Sequence, residues 1–199
     1  MRERFVAAAR RAGATAAAEV LEAVAAELLA RWSEPHRHYH DVAHLRSCLD
    51  ADGVEAEPVV ALAVWGHDAV YDPRSSSNEE RSALLLTGLL SRCRLPMGEI
   101  AQAARLVRLT AGHAVPQGDR LGAMLADADL AVLARPRPDY DSYVDAVRKE
   151  YAHVPDELWR AGRAAVLRGL LDLPALFHHH PELEEPARAN LRRELANLT

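Results

Sequence analysis

Three short groups of histidine and aspartate contain the side chains of this chain that are best suited to binding a metal ion. His40 and His44 are four residues apart, so a helix would present both imidazoles on one face. His67 and Asp68 are adjacent and add one nitrogen and one oxygen donor from a second element. The acidic segment 127–129 could supply a further oxygen. A mixture of imidazole and carboxylate suits Mn, Fe, Co, Ni or Zn better than Ca, which prefers oxygen ligands alone.

Composition favours a single all-α domain that contains all of these groups. The chain has 199 residues, of which 49% are hydrophobic and 27% charged. Alanine and leucine dominate while β-branched and aromatic residues are sparse, so helix is favoured almost everywhere. We expect a multi-helix bundle in which about residues 1–30 form an N-terminal helix packed on the core. Cys48 and Cys93 lack the spacing of a zinc site and fit reduced core thiols.

The charge and the N-terminal segment exclude several classes of partner. The formal net charge of -5 and the pI near 6.1 argue against a nucleic-acid polymer, because a phosphate backbone normally needs a basic face. The apolar stretch 12–30 is interrupted by Glu19, Glu22 and Glu27, so it is neither a secretory signal nor a membrane span. We therefore expect a cytoplasmic protein without a membrane partner. The sequence leaves the oligomeric state open.

Hydrophobic periodicity predicts the helices that must position the donor groups. They run over 14–32, 36–50, 59–71, 78–92, 97–110, 119–134, 139–152, 155–172 and 183–198. The first histidine pair falls on the apolar side of the second helix, and the His-Asp pair falls near the end of an almost wholly apolar third helix that must be buried. Buried ionisable groups need partners, and a bound cation is one. Asp127 and Asp129 point about 200° apart on their helix, so at most one faces any single point.

Four segments of this order also carry a resemblance to a known family. They are RHYHDVAHL at 37–45, WGHDAVYD at 65–72, SNEERSA at 77–83 and DADL at 127–130, with later matches at 150–151, 162–163 and 187–191. Together they make the chain similar, over about 30–199, to an uncharacterised group within the HD-domain superfamily of metal-dependent phosphohydrolases. The resemblance implies a helical bundle of the HD type.

The resemblance also implies a ligand set and a reaction. The implied metal ligands are His44, His67, Asp68 and Asp129, holding one divalent ion that would be Mn, Co, Ni, Fe, Zn or Mg. His40, expected one helical turn from His44, would act as a general acid toward the leaving oxygen. The implied reaction is hydrolysis of a phosphate ester of a small molecule, such as a nucleotide or a phosphate monoester, with Asp68 orienting the attacking water.

Several other residues are candidates for substrate binding or for support of the ligands. Arg37 and Arg81 could clamp a phosphate, or they could be solvated surface arginines. Glu79 could hydrogen-bond a ligand histidine or simply favour the helix dipole, and Asn78 precedes it in the matched segment. For Asp127 the helical geometry favours capping or support of the ligands.

Two alternative functions stay open from the sequence. The scaffold could serve as a regulatory module that binds a metal or a nucleotide without turnover. It could instead be a di-iron oxygenase, which would need a fifth ligand, and His113 is the obvious one. His113 could also contact substrate or simply be exposed in its loop. The tract of three histidines at 178–180 precedes Pro181 near the end of the sequence, and we expect it to lie on the surface.

Overall fold

The computed structural model describes residues 1–198, and within them it contains only helices and connecting turns. The ten α-helices are α1 (Arg2–Arg11), α2 (Ala18–Trp32), α3 (Val42–Leu49), α4 (Pro58–Gly66), α5 (Asn78–Arg92), α6 (Met97–Leu109), α7 (Arg120–Leu130), α8 (Arg137–Glu150), α9 (Asp156–Leu171) and α10 (Glu184–Leu198). Short 3-10 helices at Ala131–Ala134 and Pro181–Leu183 follow α7 and precede α10. The prediction of an all-α fold is therefore confirmed.

The N-terminal region differs from the single predicted helix. It forms two helices, α1 and α2, which pack against each other. The chain turns at Gly13, whose φ of +93° lies in the left-handed region that glycine adopts without steric strain. The helix predicted from periodicity over 14–32 corresponds to α2, whereas α1 was not predicted as a separate helix.

Helix α3 begins later than predicted, and this changes the position of His40. The carboxylate of Asp41 caps the helix by accepting the backbone N–H groups of Ala43 at 2.7 Å and His44 at 3.3 Å. His40 therefore lies in the turn before α3 and not on the helix itself. His44 remains on the helix, in its first turn.

Two apolar cores hold the helices together. The larger core is built from α1 to α7 and buries the indoles of Trp32 and Trp65 together with Phe5. The smaller core joins α8, α9 and α10 through Tyr140, Leu167 and other side chains. Helix α7 contributes to both cores, since Leu125 belongs to the first and its last residue belongs to the second. Among residues 1–198, no helix combines the length and the apolar character that crossing a bilayer requires.

Helix α4 ends at Gly66, where its backbone packs closely against α5, and His67 and Asp68 follow in a turn. A Cβ added at Gly66 would lie 2.5 Å from Cδ2 and 3.0 Å from Cγ of Leu86. Leu86 is fully buried, so its side chain cannot move aside without disturbing the core. The absence of a side chain at Gly66 thus allows the end of α4 to pack closely against Leu86 of α5.

We expect the Gly66→Ala variant to lower the free energy of unfolding by about 1–3 kcal/mol, the usual range for overpacking a core. Urea denaturation followed by circular dichroism measures the change. Gly88→Ala is a matched control on the exposed face of α5, where an added Cβ meets nothing within 4 Å. This control should be neutral or slightly stabilising. Equal losses in the two variants would contradict the packing argument.

Candidate metal centre

Four donor groups from three separate elements meet beside the larger core. Nε2 of His44 lies 3.2 Å from Nε2 of His67, 3.1 Å from Oδ1 of Asp129 and 3.9 Å from Oδ2 of Asp68. Nε2 of His67 lies 3.2 Å from the Asp68 carboxylate and 3.5 Å from that of Asp129. Two donors that each stand about 2.1 Å from one ion are about 3.0–3.4 Å apart at ordinary coordination angles. Three of these five spacings lie in that range and the 3.5 Å spacing lies close to it, which suits a shared divalent cation, whereas the 3.9 Å spacing between His44 and Asp68 is wider.

The His67 ring is held in the orientation that a metal ligand needs. Its Nδ1 lies 2.8 Å from the backbone carbonyl oxygen of Val64, and a carbonyl can only accept a hydrogen bond. Nδ1 therefore carries the proton, and in the neutral ring Nε2 presents its lone pair to the other donors. The carbonyl of Val64 therefore fixes the orientation and the tautomer of the ring, as a carboxylate does for many metal-bound histidines.

The charges of the centre stabilise one another strongly. Burial would raise the pKa of Asp129, but the nearby His67 and hydrogen bonds from His113, His44 and His67 hold it well below its usual range. For Asp68 burial is likewise outweighed by His67, which lowers its pKa. Burial would lower the pKa of His67, but the two carboxylates raise it well above its usual value. The carboxylates of Asp68 and Asp129 are thus paired with the protonated ring of His67. A bound cation would supply the same positive charge.

His113 joins the centre from the loop between α6 and α7. It has a positive φ of +52°, which is uncommon for a residue with a side chain. Its Nε2 lies 2.8 Å from Oδ2 of Asp129, the oxygen on the other side of the carboxylate from His44. The structure therefore brings His113 into contact with a predicted ligand, and it orients that carboxylate by a hydrogen bond.

Cys48 is a donor that sequence analysis did not include. It lies one turn after His44 on α3, and its Sγ is 3.7 Å from Nε2 of that histidine. His44, Cys48, His67 and Asp129 form a group that could hold a metal ion, with all four ligand atoms within 4.8 Å of one another. The spacing of four residues between His44 and Cys48 was the available signal, because it places both side chains on one helix face.

Glu150, at the end of α8, organises the turn that carries His40. Its Oε1 accepts the backbone N–H groups of His38, Tyr39 and His40 at 2.8, 2.8 and 3.0 Å. Its Oε2 accepts hydrogen bonds from Nδ1 of His40 at 2.7 Å and from the hydroxyl of Tyr71 at 2.8 Å. Burial would raise the pKa of Glu150, but the bonds from His40 and from the backbone lower it to about 2. No local pattern in the sequence indicates this role, because Glu150 is 110 residues from His40 in the turn that it binds.

His40 lies close to His44 although it is not on α3. The two ring centroids are 5.8 Å apart, and the ring of His40 stacks on Tyr71 at 4.2 Å. Burial would lower the pKa of His40, but the hydrogen bond to Glu150 and the nearby carboxylates raise it. Nδ1 of His40 is thus occupied by its hydrogen bond to Glu150, which leaves Nε2 for other partners.

Arg37 has a different place from the phosphate clamp expected from the sequence. Its side chain is buried, and its Nε and one Nη2 hydrogen point to the carboxylate of Glu34 at 3.1 and 3.0 Å. The remaining hydrogens reach the backbone carbonyl oxygens of His40 at 2.9 Å, Asp68 at 2.8 Å and Ala69 at 3.4 Å. All five N–H donors are therefore directed at protein oxygens. Arg37 braces the backbone of both motifs and has no N–H free for a phosphate.

Asn78, Glu79 and Arg81 lie in the first turn of α5, directly after the loop 72–77. The side chain of Asn78 is buried and closes the loop, accepting the backbone N–H of Asp72 at 3.1 Å and donating to its carbonyl at 2.9 Å. Glu79 is half-buried and Arg81 is exposed on the same first turn. The Nδ1–H of His67 donates to the backbone carbonyl oxygen of Val64, so Glu79 does not take the role of its acceptor that was expected from the sequence.

Asp127 faces away from the other donors. Its carboxylate accepts the backbone N–H groups of His178 at 2.8 Å, His179 at 2.7 Å and His180 at 3.2 Å. It therefore anchors the loop before α10, as Glu150 anchors the turn before α3. Asp129 alone of the two aspartates points to the centre.

A cleft of about 240 Å³ opens next to His44 and Asp129. Tyr39 and Val132 contribute apolar wall, and Arg135 lies at its exposed edge with other polar residues. Two of the four donors, His44 and Asp129, line this cleft. Arg135 was not among the arginines singled out from the sequence.

No protein-family model, curated protein or solved structure matches this chain. The similarity to HD-domain phosphohydrolases therefore stays a prediction from the quoted segments. The donor group, the cleft and the elements that hold them are the observations that bear on function.

Proposed function

We propose that this protein is a metal-dependent phosphohydrolase of the HD type that cleaves the phosphate ester of a small molecule. One observation carries the proposal: His67, Asp68 and Asp129 each place a donor atom within 3.9 Å of Nε2 of His44. Two imidazoles and two carboxylates form a mixed set that suits Mn, Fe, Co, Ni or Zn. The three elements that carry them are the ones named by the sequence resemblance.

The exposure of the four side chains supports a catalytic use of the centre. The side chains of His44 and His67 are 4% and 1% exposed, whereas those of Asp68 and Asp129 are 14% and 13% exposed. The imidazoles thus bind from the protein side, and the carboxylates lie toward solvent. Catalytic metal sites keep such an open side for water and substrate, while structural sites are closed.

Each residue then has a defined task. A divalent ion held here supplies Lewis acidity and lowers the pKa of a bound water. The Asp68 carboxylate accepts a hydrogen bond from the attacking water and orients it. His40 donates its Nδ1–H to Glu150, and this bond with the nearby carboxylates raises its pKa, so the protonated ring would carry on Nε2 the proton that the leaving oxygen needs. His113 fixes the orientation of the Asp129 carboxylate through Oδ2.

The size of the cleft favours a compact substrate. Pockets for drug-sized ligands are typically about 300–1,000 Å³, and this cleft has about 240 Å³. A small phosphate monoester fits this volume better than a whole nucleotide. Arg135 at the cleft edge supplies a guanidinium that matches a phosphate group.

A metal and substrate screen on the full-length chain tests the proposal. The protein is stripped with a chelator and reloaded separately with Mn, Co, Ni, Fe, Zn and Mg, and phosphate release is measured from small phosphomonoesters and from nucleotides. We expect release with at least one metal, loss on chelation, and about one ion per chain by elemental analysis. No release with any metal, together with tight nucleotide binding, would favour the regulatory module. Two irons per chain would favour the oxygenase.

A further inference from the structure

We propose that Cys48 is a ligand of the same metal and that its sulfur makes the centre select Zn²⁺, Co²⁺ or Fe²⁺ over Mg²⁺. The inference rests on the metal centre of the proposed function, but it does not depend on hydrolysis. Thiolate ligands favour these softer ions, whereas Mg²⁺ takes oxygen ligands. Cys48 would thus decide which metal the protein carries.

The position of the sulfur supports ligation. His44 and Cys48 are one turn apart on α3, and Sγ lies 3.7 Å from Nε2 and 3.8 Å from Nδ1 of the ring. With a Zn–S bond of about 2.3 Å and a Zn–N bond of about 2.1 Å, the two donors are about 3.6 Å apart in a tetrahedral site and about 4.4 Å apart on opposite sides of an ion. The ligand atoms of His44, Cys48, His67 and Asp129 all lie within 4.8 Å of one another. Sγ is about equally far from the two ring nitrogens and so stands beside the ring, which means that a rotation of the Cys48 or His44 side chain brings both donors to one ion.

Cys48 is a core thiol that also contacts the donor group. The residue is 1% exposed, its S–H donates a hydrogen bond to the backbone carbonyl oxygen of Ala128 at 3.6 Å, and Sγ lies beside the ring of His44. Asp68 is partly exposed, whereas Cys48 is enclosed between α3 and α7. The sulfur would thus bind from the buried side and leave the open side to Asp68 and water.

Ligation changes one bond to hydrogen and forms one bond to the metal. The S–H bond of Cys48 breaks, the S–metal bond forms from the sulfur lone pair, and the proton leaves to solvent. No oxidation state changes. Metal loading should therefore release one more proton from the wild type than from a variant without Cys48.

Cobalt spectroscopy on the stripped full-length chain tests this inference. Co²⁺ is titrated into the wild type, Cys48→Ser and Cys93→Ser, and the sulfur-to-cobalt charge-transfer band is measured in the near ultraviolet. We expect the band in the wild type and in Cys93→Ser, and its loss in Cys48→Ser. Cys93 is the matched control, because it is also buried in the apolar core but lies outside the donor group.

Competition titrations then measure metal preference. Cys48→Ser should bind Zn²⁺ about 10-fold to 100-fold more weakly than the wild type, and its affinity for Mg²⁺ should change little. Circular dichroism checks that the variant is folded. A wild-type cobalt complex without the band would overturn the inference whatever the variant does, as would unchanged Zn²⁺ affinity in folded Cys48→Ser.

The two proposals fail in distinguishable ways. If the wild type shows the band but releases no phosphate with any metal, only the hydrolase proposal fails. If the wild type hydrolyses phosphate esters but shows no band with Co²⁺ bound, only the sulfur ligand fails.

Discussion

Asp129→Asn should lower metal affinity and kcat/KM for phosphate release by at least about 100-fold. Loss of a partner that only supports a ligand typically costs 10–100-fold, and Asp129 is a proposed ligand itself. The amide keeps the shape of the side chain but lacks the charge that faces His44 at 3.1 Å, His67 at 3.5 Å and His113 at 2.8 Å. Elemental analysis, steady-state kinetics and thermal unfolding with and without metal measure the effect.

The thermal measurement gives a readout that does not depend on turnover. Metal at 100 times its Kd stabilises a folded protein by about 2.7 kcal/mol, so the wild type should melt at a higher temperature when loaded. Asp129→Asn should show little of this shift. Asp127→Asn is the matched control, since it changes the same group two residues away on the face that binds the loop at 178–180. It should keep its metal, and loss of metal from both variants would contradict the assignment.

Glu150→Gln should lower the free energy of unfolding by about 2–3 kcal/mol near pH 7. The Glu150 side chain is fully buried and accepts five hydrogen bonds, three from consecutive backbone N–H groups. The fall of its pKa from 4.5 to about 2 corresponds to about 3 kcal/mol of stabilisation of the charged form. An amide can accept the backbone bonds, but its NH₂ group would face the donors of His40 and Tyr71. Urea denaturation of the two proteins measures the difference.

The difference between wild type and Glu150→Gln should also depend on pH. A carboxyl group whose pKa is lowered by folding contributes its full stabilisation above the unfolded value of 4.5 and loses it as the pH falls toward about 2. The two proteins should therefore converge in stability between pH 4.5 and pH 2. Glu157→Gln, on the exposed surface of α9, should show no such convergence. A difference that stays constant across this range would mean that the charge of Glu150 is not what stabilises the turn.

Glu150 and Asp127 each bind the backbone of a turn that is distant in the sequence. Each carboxylate accepts three consecutive backbone N–H groups from a turn more than 50 residues away, at 38–40 and 178–180 respectively. Such turns cannot satisfy their own N–H groups, and a buried carboxylate needs donors. One of these pairs holds His40 beside the metal centre, and the other holds the loop before α10.

The sequence by itself determined the fold class and named the donors. Alanine and leucine dominate at helical spacing, so each long element formed as a helix, and 78–92 was predicted to the residue because α5 packs with ordinary amphipathic periodicity. The histidines and aspartates were visible because few other residue types bind divalent ions. Their order along the chain suggested that they would meet.

Only the tertiary structure decided which atoms face one another. The Asp41 cap moved His40 off α3, and the buried sites of Arg37 and Glu150 followed from acceptors and donors that lie far apart in the chain. The same holds for Cys48, which looked like any core thiol until α3 and α7 packed together around it. Periodicity reports which face of a helix is apolar, whereas the partner of a buried polar group depends on how separate helices pack.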